Sequence, residues 1–587
     1  MTHLSAFYSQ KDLIAKYGES KAFLVWAMGL YLDDSNLMEL ASESLSDKSD
    51  DKKIDFIRYD NENKSIVIAQ GYFSNAAKKP DSAPANKASD LNTAVAWLVS
   101  GNLEDITDEV PVPLRSIVSD CREGIEDGSV EQIELLYTHN LSESINVNKE
   151  LETVALHLQT ALQGKEIKVV RKELGLTELE KLYTSQKSAI TITNEIICPS
   201  EIQYTEKGSD WEGAILTVPG VWLHELFAKY ETELFSANYR GFLGMSKRKK
   251  INQEIRLTAE KEPDHFWVFN NGITILTHHF EGIKNGTKLT GISIINGAQT
   301  TGSIGNVDKR SLENVRVMCR LITSPNQSTT EDIIKYNNTQ NKITSWDKFS
   351  NDAQQKTIKG EFQNLNLNYS LKRGFNEGTN VDFTIDQVAQ PLIGLLGYYV
   401  EANTGKNYIF DTPRLYEIAF KQTKARHILL CCMIMRAVDE CRDELRAKLR
   451  EKKALIQIET DQLTLLGNFR FKYFLMGVIG KCFDSLRGEA TVLETVAFSP
   501  NAVKNNTLQD LVVKTLPIVK LALTATTTAI GQKDFVSLLK DADLIDKETN
   551  PLLRISREAN TLIYSTMNMA GDVSPAIKAF RELVSNS

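Results

Sequence analysis

Residues 54–74 read IDFIRYDNENKSIVIAQGYFS, and the folding of this stretch decides the N-terminal domain. Two β-rich runs, IDFIRY and SIVIAQ, flank DNEN, four residues that favour turns. The pattern predicts a β-hairpin. With DNEN as its turn, Tyr59 faces Lys64 and Asp55 faces Ile68. Side chains alternate between faces of a strand, so Asp55, Ile68, Gln70 and Tyr72 share one face. Lys53, opposite Gln70, points the same way. Asp55 and Gln70 become diagonal neighbours about 7 Å apart. Their oxygens are then placed to hold one hard divalent cation, Mg²⁺ or Mn²⁺. Such a cation activates water and offsets charge on a phosphate under attack.

The flanks complete a unit. Residues 9–33 carry Ala22, Phe23, Trp26 and Leu30 at helical spacing, with Gly18 interrupting the first turns. ESLSDKSDDKK (43–53) and AAKKPDSAPAN (76–86) read as loops. SDLNTAVAWLV (89–99) places Leu91, Val95, Leu98 and Val99 on one helical side. Helix, hairpin, helix is an α/β arrangement. It resembles the PD-(D/E)XK nuclease core, in which an acid on one strand is followed by E-x-K or Q-x-K on the next. Asp55 and Gln70 match that pattern, and Tyr72 stands where the lysine belongs. The resemblance implies metal-dependent phosphodiester hydrolysis, with Asp55 and Gln70 as metal ligands. Lys53 is the nearest substitute for the lysine, and Lys78, Lys79 and Lys87 are further candidates. Tyr72 offers a hydrogen bond without charge, and Glu19 sits where such folds often add an acid. The departure at Tyr72 leaves a degenerate, non-catalytic domain as the other reading.

Three stretches in the middle are rich in amides: FWVFNNGITIL (266–276), ISIINGAQTTGSI (292–304) and IIKYNNTQNKI (333–343). The first reads as a β-run broken at Asn270, Asn271 and Gly272. The second reads as a strand that turns at Gly297 and enters a helix, with Thr300 and Thr301 at the opening, an arrangement suited to an anion. Asn and Gln side chains donate and accept at once and suit a base edge or a sugar. Together with LFSANYRGFLG (234–244), these stretches are similar to the AIPR family, named for abortive infection phage resistance. The match rests on Asn238-Tyr239-Arg240 and Gly244, Phe269–Gly272, Asn296–Thr300 and Asn338–Asn341. The resemblance implies a bacterial antiphage protein, and similar members often carry a PD-(D/E)XK-like N-terminal region. INGAQTT is also similar to D-G-Q-H-R motifs of ParB-like proteins, some relatives of which bind nucleotides.

The implied binding residues are Arg240, Asn270, Asn271, Asn296, Gln299, Thr300, Asn338 and Gln340, joined by the basic run Lys247, Arg248, Lys249 and Lys250, which suits phosphates. The expected partners are DNA or RNA, a nucleotide or a phage-derived trigger; a homo-oligomer is left open. A nucleotide-dependent switch centred on Gln299 and Arg240 is a third reading. The expected fold is multidomain α/β (α+β). It comprises a nuclease-like domain (1–115), an α/β connecting region (116–204), the AIPR core (205–400) and a mainly helical region (401–587).

Bulk properties narrow the classes. The 587 residues are 42% hydrophobic and 25% charged, ordinary for a globular protein, and carry a net charge of −8. Nucleic-acid binding therefore needs a local basic surface. Seven cysteines without a CxxC pair predict reduced thiols, with Cys431 and Cys432 in the core. No basic-then-apolar leader occurs, and runs such as HILLCCMIM fall short of the ~20 residues of a membrane span. A cytoplasmic protein without membrane contact is the expectation. The 442–453 segment, interleaved with Asp443, Glu444 and Glu451, reads as a solvated helix face.

Overall fold

The computed structural model describes residues 2–46, 53–75, 81–99, 112–187, 189–238, 249–338, 352–371, 381–451, 453–531, 533, 535, 538, 551–568 and 575–586. The chain divides into two compact units. One joins Met1–Thr177 to Thr344–Ser587, and the other is Glu178–Ile343. The molecule is mixed α/β with a helical C-terminal region.

The first unit begins with α1 (His3–Tyr8) and α2 (Lys11–Leu32). Gly18, at φ 76° and ψ 160°, breaks α2 as its position predicts. Among the described residues no atom beyond its own helix and chain neighbours lies within 4 Å of where its Cβ would stand, so the glycine serves the backbone angle and not packing. Beyond the break Ala22–Tyr31 are buried. α3 (Leu37–Ser44) follows, its N-terminus capped by the Asn36 side chain.

A four-stranded sheet then forms from β1 (Phe56–Asp60), β2 (Ser65–Tyr72), β3 (Gln132–His139) and β4 (Lys168–Leu174), in that order. β1 runs antiparallel to β2, while β2–β3 and β3–β4 are parallel. Parallel neighbours need long crossovers. α4 (Ala85–Ser89), α5 (Leu91–Val99) and α6 (Val112–Glu126) precede β3, and α7 (Ile145–Ala161) precedes β4. Ile66 and Ile68 bury one face of β2 against Leu91, Val95, Leu151 and Val154. On the opposite face Leu24 of α2 closes on Gly71, where an added Cβ would lie 3.2 Å from its side chain.

The hairpin forms, but in a different register from the one expected. Tyr59 pairs with Ile66 and Ile57 with Ile68, so the connection is 61–64 and not 60–63. Asp60 causes the shift: its carboxylate accepts from the Asn63 backbone N–H at 2.9 Å and from Asn63 Nδ2 at 2.8 Å, and Lys64 takes a left-handed φ of 51°. The slip is two residues, which preserves the faces. Extended by one residue, the observed register sets Asp55 directly across from Gln70.

In the second unit a seven-stranded sheet has the order β5-β10-β8-β11-β7-β6, with β9 on the flank of β10. Its strands are β5 (Ile192–Cys198), β6 (Tyr204–Lys207), β7 (Glu212–Pro219), β8 (Ile273–Leu276), β9 (His279–Ile283), β10 (Gly286–Asn296) and β11 (Arg316–Thr323). Leu216, Val218, Ile275, Leu289, Ile294, Cys319 and Leu321 bury one of its faces. The segment FWVF, expected as strand, is instead a helical turn, α8 (Phe266–Phe269). The short helix Pro263–His265 starts the turn, and the Asn270 N–H closes it on the Phe266 carbonyl. Trp267, Val268 and Phe269 are exposed. α9 (Ala298–Ile304) and α10 (Gln327–Asn338) complete the parts used below.

The C-terminal helices of the first unit include α11 (Ala425–Arg450), α12 (Phe471–Lys481) and α13 (Leu508–Ile530). Cys431 and Cys432 are buried in their core, and all seven cysteines are free. α13 is long and apolar enough to cross a membrane by length and composition, which the apolar runs did not suggest; 61% of its apolar window is buried by packing. A second correction concerns α11. Arg442, Asp443 and Arg446 are buried, not solvated. Arg442 donates to the Leu466 carbonyl, Ser42 Oγ and Asp439, and Arg446 donates to the Ser42 carbonyl. Nearby Lys472, 2% exposed, pairs with Glu39 and Glu43 of α3 and lies 3.8 Å from Asp439. The charges at 442, 443 and 446 that suggested a wet face are matched by Ser42 of α3, by Lys16 and Tyr17 of α2, by Asp439 and by the Leu466 carbonyl.

Candidate functional site

At the end of the hairpin, Gln70 is 1% exposed. Its Nε2 donates to the Lys53 carbonyl, while its Oε1 is buried without a hydrogen-bond partner. An amide oxygen so placed is costly unless something accepts its lone pairs. Asp55, beside it, is oriented by the Gly71 backbone N–H, which donates to Oδ2 at 2.9 Å. Gly71 thus has two roles: its missing side chain admits Leu24, and its N–H holds the carboxylate.

The side chain of Lys53 turns away from its own carbonyl. Its φ is 64°, and Nζ lies 3.5 Å from Asp90 Oδ2, just ahead of α5. Lys87 of α4 reaches the same carboxylate at 3.7 Å. Asp90 therefore gathers two ammonium groups at the mouth of the hairpin. Tyr72 is half-buried and packs against the apolar core. Glu19 lies on α2, which covers the other face of β2; its carboxylate acts on Tyr8, whose pKa is raised by burial and then by Glu19. Lys78 and Lys79 lie outside the described residues.

The next strand closes the site. Tyr137 is aligned with Gln70 in the β2–β3 register, and its hydroxyl donates to the Pro84 carbonyl at 3.2 Å. Burial pushes its pKa well up, aided by Tyr72, Glu173, Asp55 and Asp90. Beside it His139 Nε2 meets Glu173 Oε1 at 2.9 Å, and Glu173 also accepts from the Ser144 N–H and Asn148 Nδ2. Both His139 and Glu173 are fully enclosed. This network stiffens the C-terminal ends of β3 and β4.

Among the described residues no three His, Cys, Asp or Glu side chains gather for a metal. A cation here would rely on the Asp55 carboxylate and Gln70 Oε1, with water completing its shell. The residues fit that use, since the one unpartnered buried oxygen of the site is a hard ligand. Asp90 and Tyr137 were not anticipated. Asp90 precedes an apolar helical run and reads as a cap; Tyr137 became a site residue only once β3 was a strand.

In the second unit the amide motifs converge. Asn270 Oδ1 accepts from the Gly272 N–H at 2.9 Å and from Thr300 Oγ1 at 3.2 Å, tying FNNG to NGAQTT. Asn296 pairs across from Thr274. Gly297 takes the expected left-handed turn, φ 85°, before the seven-residue α9. Thr301 Oγ1 donates back to the Gly297 carbonyl at 3.1 Å. Both threonine hydroxyls are therefore engaged within the fold. Gln299 is half-buried and Asn271 exposed. Arg240, Lys247, Arg248 and Gln340 lie outside the described residues. Lys249 and Lys250 begin a helix, Lys249–Lys261, and Asn338 ends α10; the side chains of these three are likewise outside what is described.

The convergence of FNNG and NGAQTT is the structural counterpart of the motif match. Residues 235–520 match the family model described as AIPR protein. The AIPR match begins ahead of those motifs and runs on through α11, α12 and half of α13. It supports AIPR membership for the chain. No curated protein and no solved structure matches it.

Proposed function

We propose that this protein is an antiphage effector of the abortive-infection kind, whose N-terminal sheet hydrolyses phosphodiester bonds and whose AIPR segment grips nucleic acid or a nucleotide. The AIPR match supports the antiphage role. The observation that carries the hydrolytic part is the buried, unpartnered Gln70 Oε1 beside the Asp55 carboxylate. A bound Mg²⁺ or Mn²⁺ would supply Lewis acidity and an activated water. Asp55 and Gln70 would hold it, with Asp55 kept in orientation by the Gly71 N–H. Lys53 or Lys87, exchanging Asp90 for phosphate, would take the place of the lysine lost at Tyr72.

The test is cleavage of plasmid DNA and of RNA by purified protein with Mg²⁺ or Mn²⁺, wild type against Asp55→Ala, repeated with lysate of infected cells. Cleavage lost in the variant supports the reading. Absence of cleavage under every condition rejects it. The second reading, a non-catalytic binder, is favoured by the engagement of both Lys53 and Lys87 with Asp90. It expects antiphage activity to survive Asp55→Ala.

A further inference from the structure

The second sheet has an outer face that is only half covered. α10 packs Ile333 and Ile334 over Leu276 and Ile295, covering β8 and β10. Among the described residues no element is packed over most of the β11-β7-β6 half, which α10 touches through the Arg320–Asn337 bond. There Tyr204, Trp211, Ile215 and Met318 are 54%, 38%, 37% and 36% exposed. The register sets Arg320 beside Ile215, and Ile215 beside Tyr204, in one row across three strands. Gly213, between Trp211 and Ile215, leaves the floor flat.

Two arginines border this floor from β11, and among the described residues neither meets a carboxylate. Arg320 donates to Asn337 Oδ1 and, at 3.4 Å, to Thr274 Oγ1. Burial alone lowers its pKa. Among the described residues Arg316 donates to the Glu313 and Val315 carbonyls. In a chain with 76 acidic and 68 basic residues, two guanidinium groups on one face of β11, separated by Met318 and bonded to neutral partners among the described residues, leave positive charge uncompensated. A purely apolar partner would leave it unanswered; an anion would not. Aromatic faces beside it suit flat rings, and guanidinium groups suit phosphate.

We propose that this open half-sheet seats a single-stranded nucleic acid, with phosphates at Arg320 and Arg316 and bases stacked on Tyr204 and Trp211 over the Ile215–Met318 floor. The proposal rests on the nucleic-acid reading of the AIPR segment and supplies its surface and its ligand class. Glu206, bonded to the Tyr204 hydroxyl, marks the rim.

The experiment is fluorescence anisotropy of the full chain with fluorescein-labelled strands of about 20 nucleotides, longer than common footprints. DNA and RNA strands of mixed sequence are compared with the matching duplex, in EDTA, at about 50 and 200 mM salt. EDTA stops metal-dependent cleavage, so failure of the nuclease reading leaves this measurement unaffected. At least one single strand should bind more tightly than duplex. Tyr204→Ala and Trp211→Ala should each weaken binding roughly 5- to 100-fold. Arg320→Gln should weaken it and reduce the salt slope by about one. Val492→Ala, an exposed apolar change in the other unit, should retain wild-type affinity. The proposal fails if neither strand binds, or if the half-exposed Tyr204 and Trp211 can be truncated without loss. It fails equally if the double truncation changes oligomeric state by light scattering while strand affinity is unchanged.

Discussion

Gln70 gives its amide hydrogen to the Lys53 carbonyl and keeps its own oxygen buried and unpaired. In most folds that oxygen would be a defect. Beside Asp55 it is a candidate ligand, which gives a test independent of turnover. Gln70→Glu places a second acceptor against the Lys53 carbonyl and should lower stability in EDTA by about 2 kcal/mol. Added Mn²⁺ should recover much of that loss. Thermal melts with and without Mn²⁺ measure both effects; an equal deficit in the two conditions argues against a cation at this position.

Asp34 is the clearest source of acid sensitivity. Burial raises its pKa, but the Lys406 ammonium and the Arg58 guanidinium, 3.0 Å away, outweigh that and hold it at about 2, against the ordinary 3.8. A depressed carboxylate stabilises above its unfolded pKa and loses that contribution as pH falls through the folded value. Asp34→Asn should therefore cost about 2 kcal/mol at neutral pH. The gap should hold down to about pH 5 and narrow by about pH 3. Urea titrations at the three values check the trend, and a gap that widens on acidification would contradict it.

Lys472 is enclosed with Glu39, Glu43 and Asp439, and burial with the neighbouring acids pushes Asp439 up to about 7 despite Lys472 and Arg442. Lys472→Met keeps the volume and strands three carboxylates, at a cost of roughly 3–5 kcal/mol. Carboxylates raised in the folded state bind protons that the unfolded chain releases, so the loss should shrink as pH drops from about 7 to 5. Denaturation at both values distinguishes this from a packing defect, which is indifferent to pH.

Two glycines with the same φ should respond differently to alanine. Gly18, at φ 76° and ψ 160°, faces open space but holds a backbone conformation nearly reserved for glycine, and Gly18→Ala should cost roughly 1–3 kcal/mol. Gly272, also at φ 76°, would place its Cβ 2.4 Å from the Met318 carbonyl oxygen, a clash with backbone. Gly272→Ala should cost roughly 3 kcal/mol or more. Chemical denaturation of the pair measures the difference, and equal costs would mean that the backbone angle, not the contact, decides.

The hairpin, the kink at Gly18, the strand–turn–helix at Gly297 and the cysteine-lined helical core were legible because each has a local cause: periodicity, a turn residue or a missing Cβ. The register was not, because Asp60 competes with Asn61 for the turn through a side-chain bond that composition does not rank. The helical turn at Phe266–Phe269 was hidden because aromatic and β-branched residues favour strands, whereas here the chain enters already helical from Pro263–His265. Arg442 and Arg446 looked solvated because their partner Ser42 lies some 400 residues earlier in the chain. Asp90 was missed for a related reason: its partners Lys53 and Lys87 come together only when the sheet and α4 are built.

The first unit is assembled from both ends of the chain, with Glu178–Ile343 between them. During synthesis Glu39 and Glu43 leave the ribosome long before Lys472 has been translated. Until then those acids have no counter-ion from α12, and α3 packs on α2 and β1 without its contact to α11. A fragment ending near Thr177 therefore carries the candidate catalytic hairpin without the helices that hold its supporting layer. Premature termination or proteolysis within the second half of the chain would yield an incompletely braced sheet. Under the hydrolytic reading proposed above, a late-arriving brace would make translation through α12 a condition of activity.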